Sequence, residues 1–431
     1  MEKQIHFIGI GGVGMSALAQ VCCDRGWCVS GSDRLFAQGG ETPVLSTLRR
    51  EGVELFPQDG SGVTAEKTVV YSTAIEVDNP DLVEARRVGA RVLHRSEALA
   101  ELARGYELIA VTGTCGKSSV TALLGYLLTM CGREPAVING AEITGWNQGG
   151  TRIGSARDSS RADGLMVVEA DESDKSLMVL SPTHVIVTNA SSDHFPKIEA
   201  EELFRTFKAK ASGYVVDLSD GSGTAQWISS EGWGSTFVWR ESMWRLSMPG
   251  VHNIANAEAA LSMAVALGCD PEVLRVALTR FRGIRRRLER VGMCQGAMVV
   301  DDYAHNIEKL QAAWSTLTAV FPRGVFGVWR PHGYAPLRKM LDGLAAMFNA
   351  TVRPCDRLLV LPVYDAGGSA DRSVNSEALL ARLTCPAEGV ASLPEAETRL
   401  RALAEPGACL AVLGARDPGL SVLAAALANS Q

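Results

Sequence analysis

The chain has no uncharged apolar run of membrane-spanning length, which excludes a helix built to cross a bilayer. Its ten cysteines include no C-x-x-C pair and no zinc-ligand spacing, so neither a disulfide framework nor a cysteine-held zinc is expected. Basic charge is not in excess: 42 Lys+Arg stand against 48 Asp+Glu, a formal net charge of -6, with a pI near 5.8. That balance argues against nucleic acid as the main partner, although Arg285-Arg286-Arg287 leaves room for a local phosphate contact. Neither an internal repeat nor a low-complexity tract is present. The N-terminus turns glycine-rich after a few apolar residues, unlike a signal peptide, and a cytoplasmic protein is expected. What is there is 431 residues, 46% hydrophobic and 21% charged, an ordinary globular composition with room for about two to four domains.

The densest signal runs from Leu108 to Leu124. Leu108 to Val111 reads as a buried strand, Gly113-Thr114-Cys115-Gly116 as a tight loop, and an apolar helix opens at Lys117. The glycines let backbone N–H groups turn inward around a phosphate, and the helix N-terminus adds its positive dipole end. Lys117 supplies a cation for the β/γ-phosphates, and Ser118, with Ser119 beside it, a hydroxyl for Mg²⁺. The spacing stops short of G-x-x-x-x-G-K-[ST], because Val111 stands five before Gly116. A plain strand-to-helix turn is the structural alternative. The setting favours a nucleoside triphosphate.

Near the N-terminus, Ile5 to Ile10 reads as a strand leading into Gly9, Gly11 and Gly14 at G-x-G-x-x-G spacing. A second strand ends at Asp33, placed to reach a ribose hydroxyl. Alone, this pattern fits an NAD-dependent oxidoreductase, or glycines that merely permit a tight crossing. The second phosphate loop makes a redox role unnecessary. It turns Gly11, Gly12, Val13, Gly14, Met15 and Ser16 toward the pyrophosphate of a nucleotide-linked substrate. Ser72-Thr73-Ala74-Ile75 follows a strand at Thr68 to Tyr71, where open α/β sheets place ligands; another strand is expected at Arg91 to Leu93 and a helix at Pro80 to Val88.

Leu165 to Val168 is expected as a strand running into Glu169, Asp171, Glu172 and Asp174. Clustered carboxylates are costly unless solvated or neutralised. The cluster is either an exposed acidic loop or, beside a phosphate loop, a strand end where Glu169 holds Mg²⁺. Val185 to Thr188 repeats the placement with Asp193-His194, a structural hydrogen bonder or a metal ligand. Alternation from Gly213 to Trp244 suggests short antiparallel strands. Asn253 and Asn256, three apart ahead of a helix at Ala257 to Leu267, suit a base edge, whereas capping explains one of them. Beyond a boundary near Phe281 to Arg287, strands are expected at Ala297 to Val300, Gly324 to Trp329, Arg357 to Pro362 and Cys409 to Leu413. They end in Asp301 to Asn306, Arg330 to Tyr334, Asp365 to Gly368 and Gly414 to Asp417. Each cluster alone is turn chemistry; together they form one crevice.

These residues in this order resemble the Mur ligases, ATP-dependent amino-acid-adding enzymes of peptidoglycan synthesis, and among them the branch that adds L-alanine to UDP-N-acetylmuramate. The likeness covers nearly the whole chain. It rests on Gly9 to Ser16, Ser72 to Ile75, Thr112 to Ser119, Glu169 to Asp174, Asp193-His194, His252 to Asn256 and Asp301 to His305. It implies an α/β chain of three domains: an N-terminal Rossmann-like UDP-sugar-binding domain (1–104), a central P-loop ATPase with a mostly parallel sheet (105–284), and a C-terminal Rossmann-like domain presenting the amino acid (285–431). Gly113, Thr114, Gly116, Lys117, Ser118 and Ser119 are implied at the ATP phosphates. His252, Asn253 and Asn256 would meet the adenine, Arg287 a phosphate and Asp302 the ribose. Ser118 and Glu169 would hold one Mg²⁺ and His194 a second. Glu169, Asp171, Glu172, Tyr303, His305 and His332 fall toward the substrates, with Lys117, His194 and His305 in catalysis. The partners implied are UDP-N-acetylmuramate and an amino acid, with no nucleic acid and no membrane insertion, on a monomer or homodimer.

The sequence departs from that branch at Cys115, where His is usual, at Ser118-Ser119, where Thr is usual, and at Asn306-Ile307 after His305, where His-Pro is common. Gly333 and Pro336 stand where it has arginines, with Arg338 nearby. The acceptor is therefore open: L-alanine, another amino acid or a recycled peptide. A folylpolyglutamate-synthetase-like enzyme shares the ATPase core but lacks the UDP-binding glycine domain. An NAD-dependent oxidoreductase leaves Lys117 idle. A non-catalytic UDP-sugar-binding paralogue fits the altered Gly333/Pro336 region.

Overall fold

A computed structural model describes residues 3–37, 42–146, 151–152, 164–172, 175–190, 196–365 and 371–429. Asp174, Asp193, His194 and the glycines at 367 and 368 lie outside them. The chain forms two compact units. One holds residues up to 226 with 237–246 and 253–282; the other holds 227–236, 247–252 and everything from 283 onward.

The first unit carries two sheets. Strands β1 (Gln4–Ile8), β2 (Cys28–Ser32), β3 (Glu54–Phe56), β4 (Thr68–Tyr71) and β5 (Arg91–His94) lie in the order β3-β2-β1-β4-β5. All are parallel, with Ile5 beside both Val29 and Thr68. Phe7 and Ile8 alternate in direction yet are both fully buried, as expected of a parallel strand covered on both faces. The order reverses at β1, and the glycine loop opens at its carboxyl end, where such sheets take ligands.

The second sheet comprises β6 (Tyr106–Thr112), β7 (Ala136–Ile138), β8 (Thr151–Arg152), β9 (Gly164–Glu169), β10 (His184–Val187) and β11 (Val215–Asp217), ordered β11-β10-β6-β9-β7-β8. Only β8 is antiparallel to its neighbour. Central β6 runs straight into the phosphate loop. One apolar cluster, from Ile5 through Leu108 and Val168 to Phe207, joins the two sheets. Val215–Asp217 corrects the expectation for its region: it extends the central sheet in parallel. The separate three-stranded sheet is formed by β12 (Gln226–Glu231), β13 (Gly234–Trp239) and β14 (Ser242–Leu246). The following helix starts at Val251 and runs to Ala266, ahead of the expected Ala257. His252, Asn253 and Asn256 are thus helical residues.

The second unit is built on β15 (Glu289–Cys294), β16 (Ala297–Asp302), β17 (Val325–Trp329), β18 (Arg357–Val360), β19 (Ala387–Gly389) and β20 (Cys409–Leu413), ordered β15-β16-β20-β17-β18-β19. All neighbours are parallel except β15 and β16. Apolar clusters cover both faces, one around Trp314 and Phe348, the other around Leu359 and Leu423.

Candidate functional site

In the first unit, the chain leaves β6 at Thr112 and turns through Gly113 to Gly116 into the helix Lys117–Met130. Gly113 and Gly116 have φ of 127° and 87°, a range that disfavours any side chain. A Cβ on Gly113 would stand 2.1 Å from Thr188 Oγ1, and one on Gly116 2.4 Å from Asn256 Oδ1. The loop is braced from the end of β10. Asn189 Oδ1 accepts the Cys115 N–H at 2.9 Å, and Asn189 Nδ2 and Thr188 Oγ1 donate to the Cys115 carbonyl at 2.8 and 2.6 Å. The Thr114 N–H adds a bond to the Asn189 carbonyl at 3.2 Å. Sequence reasoning missed Thr188 and Asn189 in this role, since no motif includes them; their strand-end position was the sole hint. The helix opens at Gly116 without a side-chain cap, so its first amides keep their donors for a ligand.

Lys117 Nζ donates to the Gly113 carbonyl at 2.8 Å and pairs with Glu172 Oε2 at 2.7 Å. The pair is enclosed, with Glu172 2% and Lys117 12% exposed. Burial works against the ammonium charge, but Glu172, Glu169 and Asp171 outweigh it and hold the Lys117 pKa above its ordinary value. Burial also pushes the Glu172 carboxyl up, against the pull of Lys117. Ser118 Oγ donates to Glu169 Oε2 at 2.9 Å, and the Gly140 N–H reaches the same oxygen at 2.7 Å. A hydroxyl and a carboxylate are the hard oxygen donors Mg²⁺ takes beside phosphates. No three His, Cys, Asp or Glu converge as a metal cage among the described residues, and His194 lies outside them. Ser119 follows on the same helical turn. Asn256, facing Gly116, donates to Asn253 Oδ1 at 3.4 Å, so this pair sits beside the phosphate loop.

At the first glycine loop, the Gly9 and Ile10 amides donate to the Ser32 carbonyl at 2.8 and 2.9 Å. The Gly11 N–H donates to Asp33 Oδ2 at 3.0 Å. Asp33 therefore grips the loop itself. Gly12 precedes the helix Val13–Asp24 without a side-chain cap, and Met15 and Ser16 are buried in its first turn. A Cβ on Gly9 would lie 3.4 Å from Ile75 Cδ1, which brings the Ser72-Thr73-Ala74 turn alongside. A Cβ on Gly14 would lie 3.1 Å from Arg95 Nη1, a residue no motif singled out.

The second unit gathers Asp302, Tyr303, His305 and His332 at its carboxyl edge. Asp302 accepts the Leu288 and Ala304 amides, each at 2.7 Å. Burial raises its carboxyl against the pull of Arg287. Arg286 donates to the Ala415 and Gly414 carbonyls at 3.0 and 2.5 Å. Arg286 and Arg287 lie 4.9 and 5.3 Å from the Tyr303 ring. His305 Nδ1 bonds the Tyr303 carbonyl at 2.9 Å, and its ring centroid is 4.9 Å from that of His332. Burial, helped by Lys309, lowers the His305 pKa to about 4, so the imidazole is neutral near pH 7. Burial lowers His252 to about 4 as well; this histidine belongs to the second unit. Arg338 pairs with Asp371 at 2.8 Å.

Comparison with known proteins agrees with these features. A model described as Mur ligase family, catalytic domain, matches residues 4–107, and one described as Mur ligase, glutamate ligase domain, matches residues 286–416. The UDP-N-acetylmuramate–L-alanine ligase of Kineococcus radiotolerans is 34% identical over 96% of this chain and 93% of its own. That of Gloeobacter violaceus is 34% identical over 95% and 92%. The crystal structure of UDP-N-acetylmuramate-alanine ligase from Thermotoga maritima superposes with a TM-score of 0.82 at 26% identity, covering 98% of both chains. With one such loop gripping a buried lysine and another closed by Asp33, the chain belongs to the Mur ligase family.

Proposed function

We propose that the chain is an ATP-dependent ligase that joins the lactyl carboxylate of UDP-N-acetylmuramate to an amino acid, L-alanine first among candidates, in peptidoglycan synthesis. One observation carries the reading: the enclosed Lys117–Glu172 pair beside the Ser118–Glu169 contact, under a glycine loop that Asn256 overlies. The names of the relatives, at 34% identity over nearly the full chain, supply the substrates.

In this reading residues 1–104 bind the UDP-sugar, 105–284 bind ATP and 285–431 present the amino acid, in a cytoplasmic monomer or homodimer. Ser118 and Glu169 would hold a first Mg²⁺, whose chemistry is to neutralise phosphate charge, and His194 a second. A carboxylate oxygen bonds to the γ-phosphorus as the bond to ADP breaks. The amine then attacks the acyl phosphate carbonyl, loses its proton, and phosphate leaves. The protein aligns the groups and supplies positive charge: Lys117 at the phosphates, the loop amides around them, and Arg287 as a further phosphate contact. Neutral His305, beside Tyr303 and His332, lies toward the acceptor, with Asp171 and Glu172 on the sugar side.

The test is phosphate release from ATP with UDP-N-acetylmuramate across amino acids and short peptides. Turnover with L-alanine is expected, and Lys117→Ala abolishes it while leaving the fold intact. A fully active Lys117→Ala variant would sink the assignment. Preference for glycine, serine or a peptide would change the acceptor and keep the class; no turnover with any acceptor would leave a UDP-sugar-binding paralogue.

A further inference from the structure

We infer that Arg95 is the cation that clamps the diphosphate of the nucleotide-sugar at the first glycine loop, an inference that rests on the UDP-sugar reading of that loop. Arg95 follows β5 and opens the helix Arg95–Ala103, at the carboxyl edge of the sheet that also bears the loop. Its guanidinium lies against Gly14: a Cβ there would stand 3.1 Å from Nη1, 3.6 Å from Cδ and 3.7 Å from Cζ. The third glycine of the motif thus opens the space that lets an arginine approach the loop. Any side chain at position 14 would press on it.

The charge of Arg95 is unspent. It makes no hydrogen bond or salt bridge among the described residues, whereas its neighbours are engaged. Arg25 donates to the Leu102 carbonyl, and Arg34, Arg87 and Arg91 pair with Glu76, Glu84 and Glu101. Of the acids around this sheet edge, Glu97 accepts the His94 N–H at 2.7 Å and Asp33 accepts the Gly11 N–H at 3.0 Å; neither pairs with Arg95. Arg95 is partly exposed, so its guanidinium is open to an incoming anion and has no protein partner among the described residues to give up for it. Beside it the helix Val13–Asp24 opens at Gly12 with no side-chain cap. A planar fork of donors against Gly14, in the first turn of a helix whose opening amides lack a side-chain cap, is matched by two linked phosphates.

The rival role is packing, in which the arginine stem merely covers Gly14. Titration of the full chain with UDP and with uridine, at several salt concentrations, separates the two. Arg95→Met keeps the stem and removes the charge. It is expected to weaken UDP binding by about 10- to 100-fold, flatten its salt dependence and leave uridine binding unchanged. Arg95→Lys recovers much of the loss. Wild-type UDP affinity and salt slope in Arg95→Met overturn the inference, as does an equal loss for uridine. A wild-type chain that binds neither ligand overturns the UDP-sugar reading itself, and the inference with it.

Discussion

Gly116 and Asn256 show how tightly single residues set the phosphate loop. Gly116 combines a φ of 87° with 2.4 Å between its Cβ position and Asn256 Oδ1. Gly116→Ala is therefore expected to cost about 1–3 kcal/mol of stability and to abolish ADP binding, checked by denaturant unfolding and nucleotide titration. A variant binding ADP like wild type would show that the loop relaxes freely. At this scale Lys117 and Ser118 were legible because their chemistry is local: a strand, a turn and a helix start are contiguous in sequence. Thr188, Asn189 and Arg95 were not. Each acts on a loop more than 70 residues away, and nothing beside them in sequence marks the partner. The carboxylates of Asp33 and Asp302, expected at riboses, also hold the Gly11 amide and the Leu288 and Ala304 amides, contacts that turn geometry sets.

Elements followed the apolar runs closely, since parallel strands buried on both faces read as continuous hydrophobic segments. Thr68–Tyr71, Cys409–Leu413 and the helix Pro80–Val88 have the expected limits. That helix is set by local chemistry: Asn79 caps the Asp81 and Leu82 amides, and proline occupies the first turn. Its buried Asp81 also receives the Ser32 hydroxyl and, at 2.7 Å, the Gly60 N–H, tying the helix to β2 one residue before Asp33. Asp81→Ala leaves the buried Ser32 hydroxyl and the part-buried Gly60 N–H without this partner and is expected to cost about 2–5 kcal/mol. Asn79→Ala should cost about 1 kcal/mol. Denaturation midpoints of the two variants test the order, and an equal or reversed order would contradict this account. Val215–Asp217 and the early start of Val251–Ala266 escaped sequence reading. Short strands gain their stability from the neighbour they pair with, and a polar first helical turn looks like a loop.

For the molecule as a whole, the two compact units carry separate cores, and two thermal transitions are expected by calorimetry. UDP at 100 times its dissociation constant should add about 2.7 kcal/mol to the first unit's transition and leave the other in place; an unmoved pair of transitions would refute the binding site. Acid acts on the second unit. His252 and His305 titrate near 4 when folded and near 6.5 when unfolded, so the unfolded chain binds more protons between those values. Stability is then flat above pH 6.5 and falls as pH drops toward 4, by up to about 3 kcal/mol per histidine. The double variant His252→Gln, His305→Gln should flatten that profile in denaturant titrations from pH 7 to 4; an unchanged slope would assign the acid sensitivity elsewhere.

The sequence by itself determined the fold class and the two glycine loops, with Lys117 and Ser118 at the opening of the helix after the second, because periodicity and turn chemistry are written within a few consecutive residues. Only the tertiary structure decided which distant side chains brace or enter those loops. Thr188, Asn189, Asn256 and Arg95 reach their places through strand order and helix packing, and contacts between segments far apart in the chain leave no local pattern to read.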